Sequence, residues 1–437
     1  MTKLETRNEY DSYKCSGVKW LGSIPTHWNV KKVKFATDIN TRSLPETTPR
    51  KKKISYVDIG SVTFENGIES TESYIFSDAP TRARRLAKSG DIALSTVRTY
   101  LKAITHINGK FSDCVFSTGF AILSPKKFIY SRYLTYLLKS NAFTNQVDDV
   151  AKGMSYPAIN STELSNLFVL VPPLSEQVKI ADYLDKKVTQ IDEAITVKEK
   201  QINLLRERKK IITEEAITKG LKEHEPTINS GIDWIGEIPE HWEVKRAKYL
   251  LNEVDERSEN GDEELLSVSH LTGVTPRAEK NVSMFMAEDY SGSKLCRDGD
   301  LVINIMWAWM GALGVSDRTG IVSPSYGVFR QQRDKTFHPI YLEYLLKSTK
   351  YVEYYNKVST GLHSSRLRFY GHMLMAMKLG FPPYEEQCEI IKFLYKECLK
   401  MDKAIDALEQ QLLNLKEYRS SLINSAVTGK IKVPGVV

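Results

Sequence analysis

The sequence predicts an α/β (α+β) protein with two globular domains, built on twisted antiparallel sheets, and two long coiled-coil helices. Three observations predict this fold: the chain repeats itself, each repeat ends in a heptad pattern, and short β-type runs lie between. At 437 residues the chain is also too long for one ordinary hydrophobic core. Two or more domains are therefore expected.

The repeat is visible as two pairs of matching segments. SGVKWLGSIPTHWNVKKVKF, beginning at Ser16, matches SGIDWIGEIPEHWEVKRAKY, beginning at Ser230. Near the end of each half, PPLSEQ from Pro172 matches PPYEEQ from Pro382. The chain is therefore a tandem duplication with units of about 210 residues.

A heptad stripe follows each Pro-Pro pair. Apolar residues recur there at alternating steps of three and four, which is typical of coiled-coil helices. The stripes consist of Leu184, Val188, Ile191, Ile195, Ile202, Leu205 and Ile212, and of Leu394, Met401, Ile405, Leu408, Leu412, Leu415 and Leu422. Lys209 and Arg419 hold equivalent stripe positions, where we favour snorkelling over fixing the register or facing a partner. Gly220 and Gly429 are expected to end the helices.

The segments between these conserved edges diverge. Residues about 30–165 and 245–375 contain β-type runs (Ile54–Val57, Asp91–Thr96 and Asp300–Ile305) and one expected short helix each, near Tyr133 and Tyr341. We predict an N-terminal extension at 1–15, a first variable domain at 16–170 and a first helix at 171–222. A second variable domain at 223–378 and a second helix at 379–437 follow.

Composition favours a soluble cytoplasmic protein. No secretory signal and no apolar run of about 20 residues is visible, so no membrane association is expected. The five cysteines are scattered and form no C-x-x-C pair, which argues against disulfides and zinc sites. A formal charge of +7 permits a polyanionic partner such as nucleic acid.

Catalytic motifs are missing from the sequence. Phe381-Pro-Pro-Tyr384 is similar to the Asn/Asp-Pro-Pro-Tyr loop of amino-methyltransferases, but Phe cannot hold the target amino group. No Gly-rich dinucleotide fingerprint and no P-loop is present. His27 and His241, which precede a Trp in each repeat, are interpreted as packing or hydrogen-bonding residues. We predict no catalytic residue, no metal ligand and no cofactor in this chain.

Features suited to DNA are more frequent. Cationic clusters can neutralise phosphates, and Arg, Asn and small polar side chains can contact base edges. Solvated surface is the alternative for the cations, and core packing is the favoured alternative for Trp307 and Trp309. The candidates in the first repeat are Arg82, Arg84, Arg85, Ser95, Thr96, Arg98, Tyr100, Lys102, Lys152, Ser155 and Tyr156. Those in the second are Asn304, Trp307, His363, Ser364, Ser365, Arg366 and Arg368.

Taken together, the W-x-G-x-I-P-x-H-W openings, the Pro-Pro-x-x-x-Gln helix entries and the alternation of variable regions with long helices resemble specificity subunits of Type I restriction-modification systems. The resemblance implies antiparallel long helices and two target recognition domains, each reading half of a split double-stranded DNA target. It also implies two modification subunits that bring S-adenosylmethionine, and restriction/translocase subunits that use ATP and Mg.

Two other functions remain open. A coiled-coil protein-interaction scaffold without DNA binding would have equally good stripes, but it would not explain two elaborated, divergent domains. A self-contained methyltransferase or nuclease would need cofactor motifs that the sequence lacks.

Overall fold

The computed structural model describes residues 9–222, 224–279, 289–361 and 367–436. Contacts divide the chain into two compact units: a first unit of residues 1–199 with 410–437, and a second unit of residues 200–409. Both unit boundaries fall inside long helices, so each unit contains part of each helix.

The first unit combines small sheets with short helices. Its strands are β1 (Tyr13–Cys15), β2 (Ser23–Pro25), β3 (Asn29–Lys32), β4 (Thr37–Ile39), β5 (Lys53–Val57), β6 (Val62–Thr63), β7 (Gly67–Ile68), β8 (Glu72–Ile75), β9 (Ala83–Leu86), β10 (Ile92–Ser95), β11 (Ile104–His106), β12 (Val115–Ser117), β13 (Phe120–Pro125) and β14 (Phe168–Val171). Its helices are α1 (Val33–Ala36), α2 (Ser131–Lys139), α3 (Asn141–Val150), α4 (Ser161–Asn166) and the first part of α5 (Leu174–Lys219).

The second unit repeats much of this order. Its strands are β15 (Thr227–Asn229), β16 (Glu237–Pro239), β17 (Glu243–Arg246), β18 (Leu251–Val254), β19 (Leu266–Ser269), β20 (Gly273–Pro276), β21 (Lys294–Cys296), β22 (Leu301–Asn304), β23 (Leu313–Val315), β24 (Gly320–Val322), β25 (Tyr326–Gln331) and β26 (Lys378–Phe381). Its helices are α6 (Pro339–Lys347), α7 (Thr349–Val358), α8 (Gly371–Ala376) and the first part of α9 (Tyr384–Val427).

One four-stranded antiparallel sheet is common to both units. Its order is β11-β10-β13-β4 in the first unit and β23-β22-β25-β18 in the second. The first unit adds a sheet of order β8-β5-β12-β9, whereas the second has the ribbons β19-β20 and β21-β24. The duplication has therefore kept one sheet and changed its surroundings.

The predicted α+β fold class with two long helices is confirmed, with two corrections. Strands β5 and β12 pair in parallel, so the sheets are not all antiparallel. The long connection between these two strands makes a parallel pairing possible. Among the described residues, each unit also has three short helices between the last strand of its four-stranded sheet and its long helix, where the sequence predicted one. Helices α3 and α7 follow α2 and α6 directly, and the apolar pattern did not separate them.

The two long helices run antiparallel within each unit, as the ion pairs between them show. In the first unit Arg419 bonds to Asp192 at 2.7 Å, and in the second Lys209 bonds to Asp402 at 2.7 Å. These are equivalent pairs, because the repeat relates Asp192 to Asp402 and Lys209 to Arg419. The favoured snorkelling of Lys209 and Arg419 is therefore wrong: both contact the opposite helix and fix its register.

The environment of Lys209 agrees with that role. Partial burial lowers its pKa, but the hydrogen bonds and the charge of Asp402 outweigh this effect, so the pKa is raised. All the stripe residues named above are buried or half-buried. The part of the chain that the structure describes has no helix apolar and long enough to cross a membrane.

The repeated sequence motif attaches each sheet domain to the start of its long helix. Glu176, in the first turn of α5, accepts hydrogen bonds from Trp28 Nε1 at 2.9 Å and Tyr10 Oη at 3.4 Å, and contacts His27 Nε2 at 2.6 Å. Burial, followed by the nearby Glu176 charge, raises the pKa of Tyr10. In the second unit Glu386 contacts Trp242 Nε1 at 3.2 Å and His241 Nε2 at 2.6 Å.

The neighbouring glutamine closes the same junction. Gln177 donates to the carbonyls of Pro172 and Phe128 and accepts from the amide of Tyr130. Gln387 makes the equivalent contacts in the second unit, with Pro382, Thr336 and His338. Both glutamine side chains are fully buried. The Glu-Gln pair therefore satisfies the polar groups at each domain junction, which explains why both repeats contain it.

Gly429, just beyond the end of α9, offers a stability test of this packing. Its φ is +72°, and a Cβ atom would collide with the ring of Pro25. We expect Gly429→Ala to cost about 1–2 kcal/mol for the left-handed backbone and about 1–3 kcal/mol more for overpacking. Urea unfolding of the full chain measures the loss.

Gly17→Ala is the matched control, because Gly17 also has a φ of +72° but no atom within 4 Å of the added Cβ. It should show only the backbone cost. Equal losses in the two variants would contradict close packing of Gly429 on Pro25.

Candidate nucleic-acid interface

In the first unit, the candidate residues between 95 and 102 and those between 152 and 156 lie together. The loop between β10 and β11 pairs with the segment that follows α3, through a bridge between Val97 and Ala158. The amide of Ile159 also donates to the carbonyl of Thr96 at 2.8 Å. Residues predicted from two distant parts of the sequence therefore form one continuous surface, which we call the first tip (residues 96–102 and 152–160).

Arginine and tyrosine side chains cover the first tip. The Arg98 guanidinium lies over the Tyr156 ring, 5.5 Å from its centroid. Tyr100 is 55% exposed and Tyr156 is 66% exposed. Arg98 and Lys102 both have left-handed backbone conformations, with φ of 52° and 46°. Strain of this kind in residues other than glycine persists where the surrounding structure imposes it, often at binding sites.

Two candidates lie beneath the tip rather than on it. Ser95 and Thr96 are both buried, and the Thr96 hydroxyl donates to the carbonyl of Gly119 at 2.9 Å. Neither is available to a base edge. Both lie at the end of the predicted β-type run Asp91–Thr96: Ser95 is the last residue of β10, and Thr96 follows it.

The remaining candidates of this surface are only partly free. Lys152 is exposed and forms an ion pair with Glu163 at 3.0 Å, whereas Lys102 is half-buried with its Nζ 3.5 Å from the Thr144 hydroxyl. Ser155 is exposed, as is Met154 beside it. Sequence reasoning missed Met154, whose only signal was an apolar residue between Gly and Ser in a polar segment.

The arginine cluster at Arg82, Arg84 and Arg85 belongs to strand β9 and the residue before it. The carbonyl of Arg82 accepts from Thr118, next to the Gly119 that contacts Thr96, so this end of β9 adjoins the first tip. Arg82 is exposed. Arg84 is half-buried with its guanidinium 5.2 Å from the Phe76 ring centroid, and Arg85 Nε is buried. Arg82 is therefore the member best placed to contact phosphate.

The equivalent surface of the second unit is aromatic. Trp307 and Trp309 stack with ring centroids 5.9 Å apart, and Trp307 is 46% exposed. The favoured core packing of Trp307 is therefore wrong. Met306 and Met310 beside it are also exposed, and the sequence interpretation missed both. We call residues 305–311 with 367–369 the second tip, since the amide of Phe369 donates to the Ile305 carbonyl at 3.1 Å.

Asn304 shapes this turn from below. It is buried, its Oδ1 accepts from the amide of Met306, and its Nδ2 donates to the Tyr326 hydroxyl at 3.2 Å. Both ends of its amide are thus occupied within the protein. Its predicted contact with a base edge does not fit this position.

The second candidate loop of this unit is only partly described. His363, Ser364, Ser365 and Arg366 lie outside the described residues. Arg368 is half-buried, and its backbone pairs with Thr360. DNA contact by these five residues remains a prediction.

The Phe381–Tyr384 loop, which resembles a methyltransferase motif, is packed against the rest of the second unit. Phe381 is buried, with its ring centroid 4.7 Å from that of Phe337. The carbonyl of Pro382 accepts from the buried Gln387. The Pro-Pro segment thus serves as the entry to α9.

Comparison with known proteins finds a family model that matches part of the chain and relatives that match most of it. Residues 25–205 match the family model described as Type I restriction modification DNA specificity domain. A putative type I restriction enzyme MjaX specificity subunit from Methanocaldococcus jannaschii is 25% identical over 430 residues, covering 94% of this chain and 96% of that protein. The EcoKI specificity subunit of Escherichia coli is 22% identical, covering 73% and 69%.

Solved structures share the fold. A chain from a study of complex assembly and conformational transition of the type I R-M system aligns with a TM-score of 0.72 at 21% identity, covering 92% of this chain and 98% of that one. The HsdS subunit from Thermoanaerobacter tengcongensis aligns with a TM-score of 0.55 at 21% identity, covering 93% and 98%. With the duplicated sheet domains and long helices described above, these matches lead to one conclusion: residues 25–205 match the Type I restriction modification DNA specificity domain, and the chain is similar to type I specificity subunits along most of its length.

Proposed function

We propose that this chain is the DNA-reading subunit of a modification complex, and that each tip reads one half of a bipartite duplex target. One observation carries the proposal: the same antiparallel sheet occurs in both units, yet the surfaces at its loop ends differ in chemistry. The first tip has Arg98, Tyr100 and Tyr156, and the second has Trp307 with exposed methionines. A common sheet with chemically different tips is what two domains that bind different DNA sequences would require.

At the first tip, Arg98 is the leading candidate for base contact. A guanidinium can make two hydrogen bonds to the O6 and N7 of guanine in the major groove. The Tyr156 ring beneath it restricts its motion, which reduces the entropy lost on binding. Arg82 would contribute a phosphate contact that sets the orientation of the domain.

At the second tip, the apolar surface suits a different kind of contact with DNA bases. Trp307 and its methionine neighbours can contact a thymine methyl group or pack against a deformed base step. Arg368 is near enough in the fold to add a cation, because its segment pairs with the same turn. The half-site of this unit would then be rich in A·T pairs.

The chemistry would belong to partner proteins in the cytoplasm. We propose that two modification subunits bind S-adenosylmethionine and methylate adenine, and that restriction/translocase subunits use ATP and Mg. The target base has to leave the helical stack for methylation. This chain would hold the duplex so that the bases presented to the modification subunits are the same at every encounter.

Substitution of Arg98 tests the reading at the first tip. We expect Arg98→Ala to weaken binding of the assembled complex to its target about 10- to 100-fold, as loss of a bidentate base contact does. Binding to a duplex altered in the first half-site should change much less. Titration of both duplexes at one fixed salt concentration measures the two affinities.

Lys110→Ala is the matched control, since Lys110 is an exposed cation in the turn after β11, at the opposite end of the same sheet. It should change neither affinity more than about twofold, the scale of a rim charge. If Arg98→Ala behaves like Lys110→Ala, the first tip is not the reading surface.

A further inference from the structure

Three side chains that can bind metal converge at the base of the second unit. Glu225 comes from the segment after α5, His241 from the repeated His-Trp motif, and Glu386 from the first turn of α9. One ligand atom from each lies within 4.8 Å of the other two. His241 Nε2 is 2.6 Å from Glu386 Oε2, and His241 Nδ1 is 3.5 Å from Glu225 Oε1.

The first unit has the same junction without the third ligand. There, His27 and Trp28 contact Glu176 as His241 and Trp242 contact Glu386, but the additional neighbour is the hydroxyl of Tyr10, which donates to Glu176. A hydroxyl donor satisfies a carboxylate, whereas a second carboxylate adds negative charge. The Glu225 carboxylate therefore adds negative charge to the junction of the second unit, which a bound cation would balance. The Tyr10 hydroxyl adds no such charge in the first unit.

The Glu225 carboxylate is incompletely satisfied. Its Oε1 contacts Lys222 Nζ at 3.2 Å and His241, but Lys222 is 75% exposed. Its Oε2 is buried, and none of the described residues donates a hydrogen bond to it. Buried polar atoms in folded proteins are almost always paired, so this oxygen is available to an additional ligand or to water.

We propose that Glu225, His241 and Glu386 form a binding site for a divalent transition metal, with zinc the best match. One imidazole nitrogen and two carboxylates are common zinc ligands, and water completes a tetrahedron. Ligand atoms of such a site lie about 3.4 Å apart, given bonds of about 2.0–2.2 Å. The imidazole has to turn until one nitrogen faces both carboxylates; the His241 side chain is 37% exposed and has room to do so.

The metal would join three separate parts of the second unit. Helix α5 ends at Lys219, and Gly220, with a φ of +80°, lies so close to Glu386 that an added Cβ would be 3.0 Å from Oε1. The chain then passes through Glu225 into the second repeat. A bound zinc ion would fix this connection to the start of α9.

Zinc titration of the full chain tests the proposal. After dialysis against a chelator, calorimetry with zinc chloride should show one tight site per chain. Glu225→Gln and His241→Gln should each weaken binding at least about 10-fold, because each removes a ligand. Zinc should also raise the melting temperature of the wild-type chain and not that of either variant.

Asp11→Asn is the matched control, since Asp11 holds the position of the first repeat that corresponds to Glu225. It should bind zinc like the wild type. Undiminished binding by Glu225→Gln, or no zinc uptake by the wild type, would overturn the proposal.

X-ray absorption on the zinc-loaded wild type shows whether the ion is bound by this site or by any of the five cysteines. The measurement needs no variant, so it is independent of whether the variants fold. Only nitrogen and oxygen ligands are expected. Sulfur in the first coordination shell would overturn the assignment.

Discussion

Replacing residues 33–167 with a second copy of residues 247–377 is expected to give a chain whose target contains the second half-site twice. The first half-site should disappear from the methylated motif entirely. The reason is that each replaced segment contains one complete tip, while the long helices and the repeated motifs remain in place. Sequencing of methylated adenine in DNA from cells that express the hybrid reads both half-sites directly.

The structure gives the junctions for this exchange. Strands β3 and β14 pair antiparallel at the base of the first domain, and the amide of Val33 donates to the carbonyl of Leu167 at 2.8 Å. In the second unit β17 pairs with β26, and the amide of Ala247 donates to the carbonyl of Met377 at 2.8 Å. The cut ends are therefore hydrogen-bonded neighbours in both units.

The exchanged domain should also dock correctly. Tyr133 of α2 donates to the carbonyl of Val427, and Tyr341 of α6 donates to that of Ile217, which is the corresponding residue of the other helix. The transplanted segment thus brings an equivalent tyrosine to an equivalent carbonyl. Retention of the original first half-site by the hybrid would contradict modular reading.

Lengthening both long helices by one heptad is expected to widen the gap between half-sites without changing their sequences. Seven residues add about 10 Å of helix, which corresponds to about three base pairs at 3.4 Å per step. A heptad preserves the phase of the apolar stripe, so the seam stays buried. Insertions after Lys200 and after Glu409 lie between the ion pairs described above, and the methylated motif reports the gap.

The control places the same seven residues in the exposed loop at Glu259 and Asn260, outside the helices. That variant should keep the original gap. An unchanged gap in the helix variant, with the complex assembled, would exclude the helices as the spacing element.

Much of the architecture could be predicted because the repeat and the heptads are local patterns in the sequence. The β-type runs at 54–57, 91–96 and 300–305 correspond to β5, β10 and β22, because short apolar runs bounded by turns are typical of buried strands. The parallel pairing of β5 and β12 could not be predicted, because their long separation leaves no periodic signal. Lys209 and Arg419 were misread because their partners lie on another helix.

The tips were harder to predict than the frame. The sequence located the segments that form each tip but not which side chains point outwards: Ser95, Thr96 and Asn304 are buried, whereas Trp307 is exposed. Burial of a loop residue depends on tertiary neighbours such as Gly119 and Tyr326, which sequence spacing does not reveal. The His241 cluster was missed for the same reason, since Glu225 and Glu386 meet it only in the fold.

Single-molecule sequencing of adenine methylation tests the central claim most directly. DNA from cells that express this chain with the proposed modification subunit is compared with DNA from cells that lack only this chain. We predict a bipartite methylated motif that is present in the first and absent from the second. An identical methylome in both, with the complex shown to be assembled, would contradict DNA reading and favour a protein-interaction scaffold.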